Sequence, residues 1–201
     1  MAQAIREWRG VEKLVYAKVI EDTEEAYSTG VVKPLAGVAT IERTTEASTE
    51  SHYYDNRAAI NINSTGSDEV TLTVSTIPIE ILADVTGQYY DETTGMMVEG
   101  EREQGYFAIG YIASKDNNDP VYVWRLKGTF SVPDSSHNTR DDGTDANGDE
   151  IVFTGIHTTH VFAKNGASAK AVVVDVAQGK SDVSKFFDTV TTPDTLKSIS
   201  A

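Results

Sequence analysis

Apolar and polar residues alternate with a period of two along most of this chain, and the period changes sharply between Val70 and Gly87. Val70, Leu72 and Val74 alternate with Thr71, Thr73 and Ser75, the signature of a half-buried strand. Pro78 then fixes φ and removes a donor, which suits the first turn of a helix. Ile79, Leu82 and Ala83 follow at i, i+3 and i+4 as one apolar stripe, with Ile77 and Ile81 widening it. Gly87 is placed to end the helix in a left-handed turn. The pattern predicts one helix near 77–86 with Ile77, Ile79, Ile81 and Leu82 packed into the core, inside a chain that otherwise reads as β.

Before that helix, strand-like text covers 11–20, where Leu14, Tyr16 and Val19 are interleaved with charge, and 35–43, whose Ala and Gly suit close packing or an edge. Residues 44–56 are β-branched and polar with little to bury, which predicts an extended, exposed loop. A short strand at 58–63 and a turn at 64–68 lead back to Val70. After the helix, 88–91 and 96–99 flank a four-residue turn as a short hairpin. Residues 106–113 are apolar on both faces and belong centrally in a sheet. Tyr122, Trp124, Leu126 and Phe130 share one face of a strand over 121–132. A polar insertion at 134–149 follows, then a strand at 150–163, a turn at Asn165-Gly166 and a strand at 169–176 pairing back on it. Near the end, 181–190 suits a short helix capped by Ser181, and 191–201 reads as a tail.

Composition narrows what such a chain does. Its 201 residues are enough for one sizeable core, and 39% hydrophobic content marks it as globular. With no cysteine, disulfides and thiolate metal sites are excluded. No apolar run approaches a membrane span, and residues 1–13 carry no apolar signal core, which predicts neither membrane insertion nor export. Seventeen basic against 31 acidic residues leave a net charge of −14. That balance argues against gripping nucleic acid, though not against letting it pass without sticking.

Candidate chemistry is thin. The sequence holds no Gly-rich phosphate loop, nucleophile elbow or metal-binding histidine pair on a helix. His157 and His160 lie three apart on an expected strand, so they point to opposite faces and do not share a metal. Asp141, Asp142, Asp145, Asn147, Asp149 and Glu150 form the densest oxygen cluster, but the spacing is not that of an EF-hand, and a solvated hairpin tip explains it better. Adjacent Tyr53 and Tyr54 in a polar stretch suit either a contact surface or a local tuck against the body. The residues predict no enzyme and no cofactor.

In order along the chain, several pieces resemble the major tail proteins of long-tailed bacteriophages, specifically the phi13-type tail tube family. They are Gly10 through Ala17, Tyr54-Asp55-Asn56, the strand-to-helix block Val70 to Gly87, Tyr106 to Lys115, Tyr122 to Pro133, and the acidic run Asp145 to Ile151. The resemblance implies a mainly β fold of two packed sheets, sandwich- or barrel-like, with one flanking helix and long loops or hairpins. It implies a tail tube domain over 1–176, with an N-terminal arm at 1–10 and extended loops at 44–56 and 134–149, then a C-terminal segment at 177–201. The implied function is structural: hexameric rings stacked into the conduit for DNA ejection. Its partners would be further copies, a tape measure protein, a tail terminator and double-stranded DNA passing without specific binding, in a virion tail assembled in the host cytoplasm. Ring closure needs unpaired sheet edges and complementary loops. The interface candidates are therefore Thr45, Glu46, Thr49, Glu50, His52, Tyr53, Tyr54, Asp55, Arg140, Asp141, Asp142 and Asp145. A rival reading from another class is a secreted or surface β-sandwich that binds carbohydrate or calcium.

Overall fold

The computed structural model of the chain describes residues 5–134 and 148–199. Its elements run in the order β1 (Trp8–Asp22), β2 (Tyr27–Thr29), β3 (Lys33–Pro34), β4 (Val38–Tyr54), β5 (Arg57–Val74) and α1 (Ile79–Thr86). There follow β6 (Tyr89–Asp91), β7 (Met96–Val98), β8 (Phe107–Lys115), β9 (Pro120–Phe130), β10 (Asp149–Gly155) and β11 (Ala171–Asp175). The fold is mainly β with one helix, as expected. One large antiparallel sheet has the path β2-β1-β8-β9-β10-β5-β4, with β3 beside β1 and β11 beside β9, and β6 and β7 make a small second sheet. No described helix is long and apolar enough to cross a membrane.

Both faces of the sheet centre are buried, which is why β8 and β9 read as nearly continuous apolar text. Leu14, Tyr16, Leu72, Ile109, Val123 and Phe153 build one core, roofed by Ile77 and Val85. Val38 and Ile41 of β4 pack against this core, as does Val11 of β1, so the sheet curls until its far strands approach each other. It does not close into a barrel. Val15, Ala17, Ala108, Trp124 and Leu126 alternate with the first set and face a second core. Phe162, Phe186 and Val190 cover that one, and the Trp124 indole N–H donates to the Phe186 carbonyl at 2.8 Å.

Several elements depart from the sequence expectations. Phe130 does not share a face with Tyr122, Trp124 and Leu126; it packs in the first core. Between Ile109↔Arg125 and Phe107↔Gly128, β9 carries one residue more than β8, and this bulge inverts the alternation beyond it. Apart from Ala169, which bonds to Thr158, residues 169–176 do not pair back on 150–163: β11 pairs with β9, and β10 stops at Gly155. Residues 181–190 form turns instead of a helix, and 191–199 are no loose tail. Thr191 and Thr192 are buried there, and Ser181 bridges to Ser198.

In α1, Gly87 ends the helix at φ 70°, with its N–H on the Ala83 carbonyl. The buried residues are Ala83, Val85 and Thr86, while Ile81 and Leu82 are half-buried. Ile79 is 54% exposed and is not a core residue. Ile77, in the extended lead-in, fills the core beside the first turn, and its N–H donates to Asp149 Oδ2 at 2.7 Å. That contact gives Asp149 a structural partner.

Candidate functional site

Residues 44–56 and 58–68, expected as a loop, a short strand and a turn, are the outer halves of two very long strands. β4 and β5 pair from Val38↔Val74 out to Tyr54↔Arg57. The turn between them is two residues, Asp55 and Asn56, at φ 49° and 60°. Two successive left-handed residues make the hairpin turn whose twist matches that of its strands, and Asp and Asn tolerate that region. The sequence signal was the Asp-Asn pair between two β-branched, polar runs. It is easily missed because the first run has no apolar face to match the alternation of Ala58, Ile60 and Ile62 in the second.

Beyond Asp68 the hairpin leaves the body. β10 accompanies β5 only from Val74 to Asp68, and β4 is the end strand of the sheet. From Ala47 to Tyr54 the free ribbon reaches roughly 25 Å at the ordinary rise of a strand. Polar cross-strand contacts hold it: Ser48 Oγ to Ser64 Oγ at 2.6 Å, and Ser51 Oγ to Asn61 Oδ1 at 2.8 Å. Glu50 and His52 lie 3.8 Å apart along one strand. Tyr54 and Ile60 are exposed apolar groups on it. Such a two-stranded ribbon without a third strand is marginal in water by itself.

A bulge sets the ribbon's departure. Thr45 pairs with Asp68 but Ala47 with Thr65, so β5 carries one extra residue at Gly66-Ser67. Just inside the bulge, Asp68 is buried in a cage of cations. Its carboxylate meets Arg125 of β9 at 2.6 Å, Lys170 before β11 at 3.2 Å and Arg43 of β4 at 3.9 Å. Thr45 Oγ1 donates to it at 2.9 Å, and Lys170 also donates to the Gly66 carbonyl. Burial alone would raise the Asp68 pKa. The hydrogen bonds from Thr45 and Lys170 and the charges of Arg125 and Lys170 outweigh it, holding the carboxyl below the usual aspartate range. One side chain thus ties both arm strands to the sheet centre, and no local pattern signals it because its partners lie 57 and 102 residues away.

A second buried carboxylate repeats the device at the opposite edge of the sheet. Asp22 meets Lys127 at 2.5 Å and accepts from the Thr159 and His160 amides. His160 Nδ1 lies 3.1 Å from the Glu24 carbonyl and His157 Nδ1 3.4 Å from Ser168 Oγ. The two imidazoles have separate partners and sit beyond the end of β10, not on opposite faces of a strand.

The structure therefore gathers Thr45, Glu46, Thr49, Glu50, His52, Tyr54 and Asp55 on one projecting hairpin, with Tyr53 in its backbone ladder. Thr45 is part of the anchor, and Glu46 accepts from Ser67 at 3.0 Å at the bulge. Arg140, Asp141, Asp142 and Asp145 lie outside the described residues. Nothing in this arrangement resembles a set of reacting groups; it is a lever with a fixed base.

A sequence-family model described as phage tail tube protein matches residues 20–191. No curated protein matches the chain at a stringent threshold.

Proposed function

The chain belongs to the phage tail tube protein family, a structural component of the virion tail, and from that premise we propose that its copies close into hexameric rings stacked as the conduit for DNA ejection. The observation that carries this reading is the β4–β5 arm: a long ribbon, firmly anchored, with no third strand along it among the described residues. Its free edge and polar faces suit a neighbouring copy, and contacts of one patch with a different patch generate rings or stacks. The net charge of −14 would keep DNA phosphates from settling on the wall during passage. In this reading the chain is of the phi13-type branch, its tube is laid on a tape measure protein and closed by a terminator, and assembly takes place in the host cytoplasm.

The test is a series of negative-stain micrographs of the purified chain over rising concentration. Its control removes both arm strands, joining Glu46 to Gly66 through an Asn-Gly turn. Deleting 45–54 alone would leave the β5 half unpaired and confuse misfolding with lost contact. The reading predicts rings or tubes from the intact chain and monomers from the control. A folded chain that stays monomeric under every condition while binding a sugar or Ca²⁺ would return the ligand-binding β-sandwich reading. Tubes from the armless form would show that the arm is not the contact.

A further inference from the structure

A cleft of about 910 Å³ opens between β1 and β4, where the curled sheet fails to close. Its floor is apolar, formed by Tyr111, Ala113, Val121 and Val123. Trp8, 67% exposed, and Val173, 62% exposed, stand on its rim. Its charged lining is Arg9, Arg43, Arg125 and Lys170 against the single carboxylate of Asp68, with His157 beside them. In a chain with nearly twice as many acidic as basic residues, this is a concentrated cationic, apolar surface.

The complementary surface lies at the other end of the same strands. The cleft is at the start of β9, by Val121, whereas Arg102, just past the β6–β7 hairpin, donates to the carbonyl of Phe130 where β9 ends. On that hairpin Tyr89 pairs with Val98 and Asp91 with Met96, so these four share one face. Tyr89, Met96 and Val98 are all exposed. Around them the stretch 79–103 holds seven carboxylates, among them Glu92, Glu99 and Glu101, and one arginine. An apolar face ringed by acid is what the cleft, an apolar floor ringed by base, would accept.

We infer that the β6–β7 hairpin of one copy seats in the β1–β4 cleft of the next, making a head-to-tail contact separate from the arm. The inference rests on the tube reading and assigns it a second interface. Because the two surfaces differ and sit at opposite strand ends, the contact is heterologous and repeats from copy to copy. The arm base and the cleft share Asp68, Arg43 and Thr45, so arm and cleft meet the neighbouring copies from the same end.

The absence of native cysteine makes proximity directly readable. Val173→Cys and Met96→Cys are made separately, mixed, assembled and treated with a short bis-maleimide. The expected result is a cross-linked pair in the mixture only, and a ladder from the doubly substituted chain. In parallel, Arg9→Glu, or Glu92→Lys with Glu99→Lys, is expected to raise the assembly concentration about tenfold or more, and combining both sets to recover most of it. Melting curves of the monomers confirm that each variant folds. Tubes that form normally from the mixture without cross-links, or from either charge-reversed form at the unaltered concentration, would overturn this interface while leaving the tube reading intact. If the unmodified chain forms no tubes, the tube reading fails first and this contact with it.

Discussion

The sheet centre and the β4–β5 arm are built from the same secondary structure and held in opposite ways. Around Trp124 the sheet is buried on both faces, with Phe107, Phe130 and Phe153 edge to face on one side and Phe186 and Phe187 edge to face on the other. Beyond Asp68 the ribbon has backbone pairing and hydroxyl contacts, and none of its described side chains joins either core. Strand pairing by itself contributes little in water, whereas each buried aromatic contributes several kcal/mol. The centre thus supplies the stability of the fold, and the arm is a shape awaiting a surface.

Substitutions on the two sides of Asp68 should separate these roles. Trp124→Ala removes the largest fully buried side chain and its bond to Phe186. A loss of about 3–5 kcal/mol in denaturant unfolding is expected, and a loss under about 1 kcal/mol would mean that the second core is loosely packed. Asp68→Asn leaves Arg125 and Lys170 without their buried anion and should cost about 3 kcal/mol. It should also loosen the arm, seen as faster proteolysis between Ala47 and Thr65.

Acid should reach the same junction. The carboxyls of Asp68 and Asp22 are both held below the usual aspartate range: burial opposes this, but hydrogen bonds and charges from Lys170, Arg125 and Lys127 outweigh it. A depressed carboxylate contributes stability that is present above its unfolded pKa of about 4 and lost as pH falls through the lower folded value. The melting temperature should therefore hold down to about pH 4 and fall below it, more shallowly in Asp68→Asn. Smallest of all, Tyr54→Ser at the arm tip should shift monomer stability by less than about 0.5 kcal/mol while weakening assembly. A destabilisation as large as that of Trp124→Ala would mean the arm is packed after all.

Legibility in the sequence follows the same division. The block from Val70 to Gly87 was readable because an apolar period of two gives way to a helical one and both ends carry Pro or Gly. Ile79 was misplaced because two turns of helix leave room for Ile77, outside the helix, to take the core position. Phe130 was misplaced because a single-residue bulge inverts a face without changing composition. The arm was readable as exposed but not as a hairpin, since its first run, 44–54, is almost wholly polar and offers no alternation to match that of Ala58, Ile60 and Ile62. Its anchor at Asp68 depends on Arg125 and Lys170, which nothing local connects to it.

Hydrogen exchange on the backbone of the arm, measured in the monomer and again in assembled material, tests this division most directly. Fast exchange is expected from Ala47 to Thr65 in the monomer beside strong protection at Trp124. On assembly, the arm should slow by about a hundredfold or more with the centre unchanged. Arm amides that are equally protected in the monomer, or equally unprotected in the tube, would contradict it.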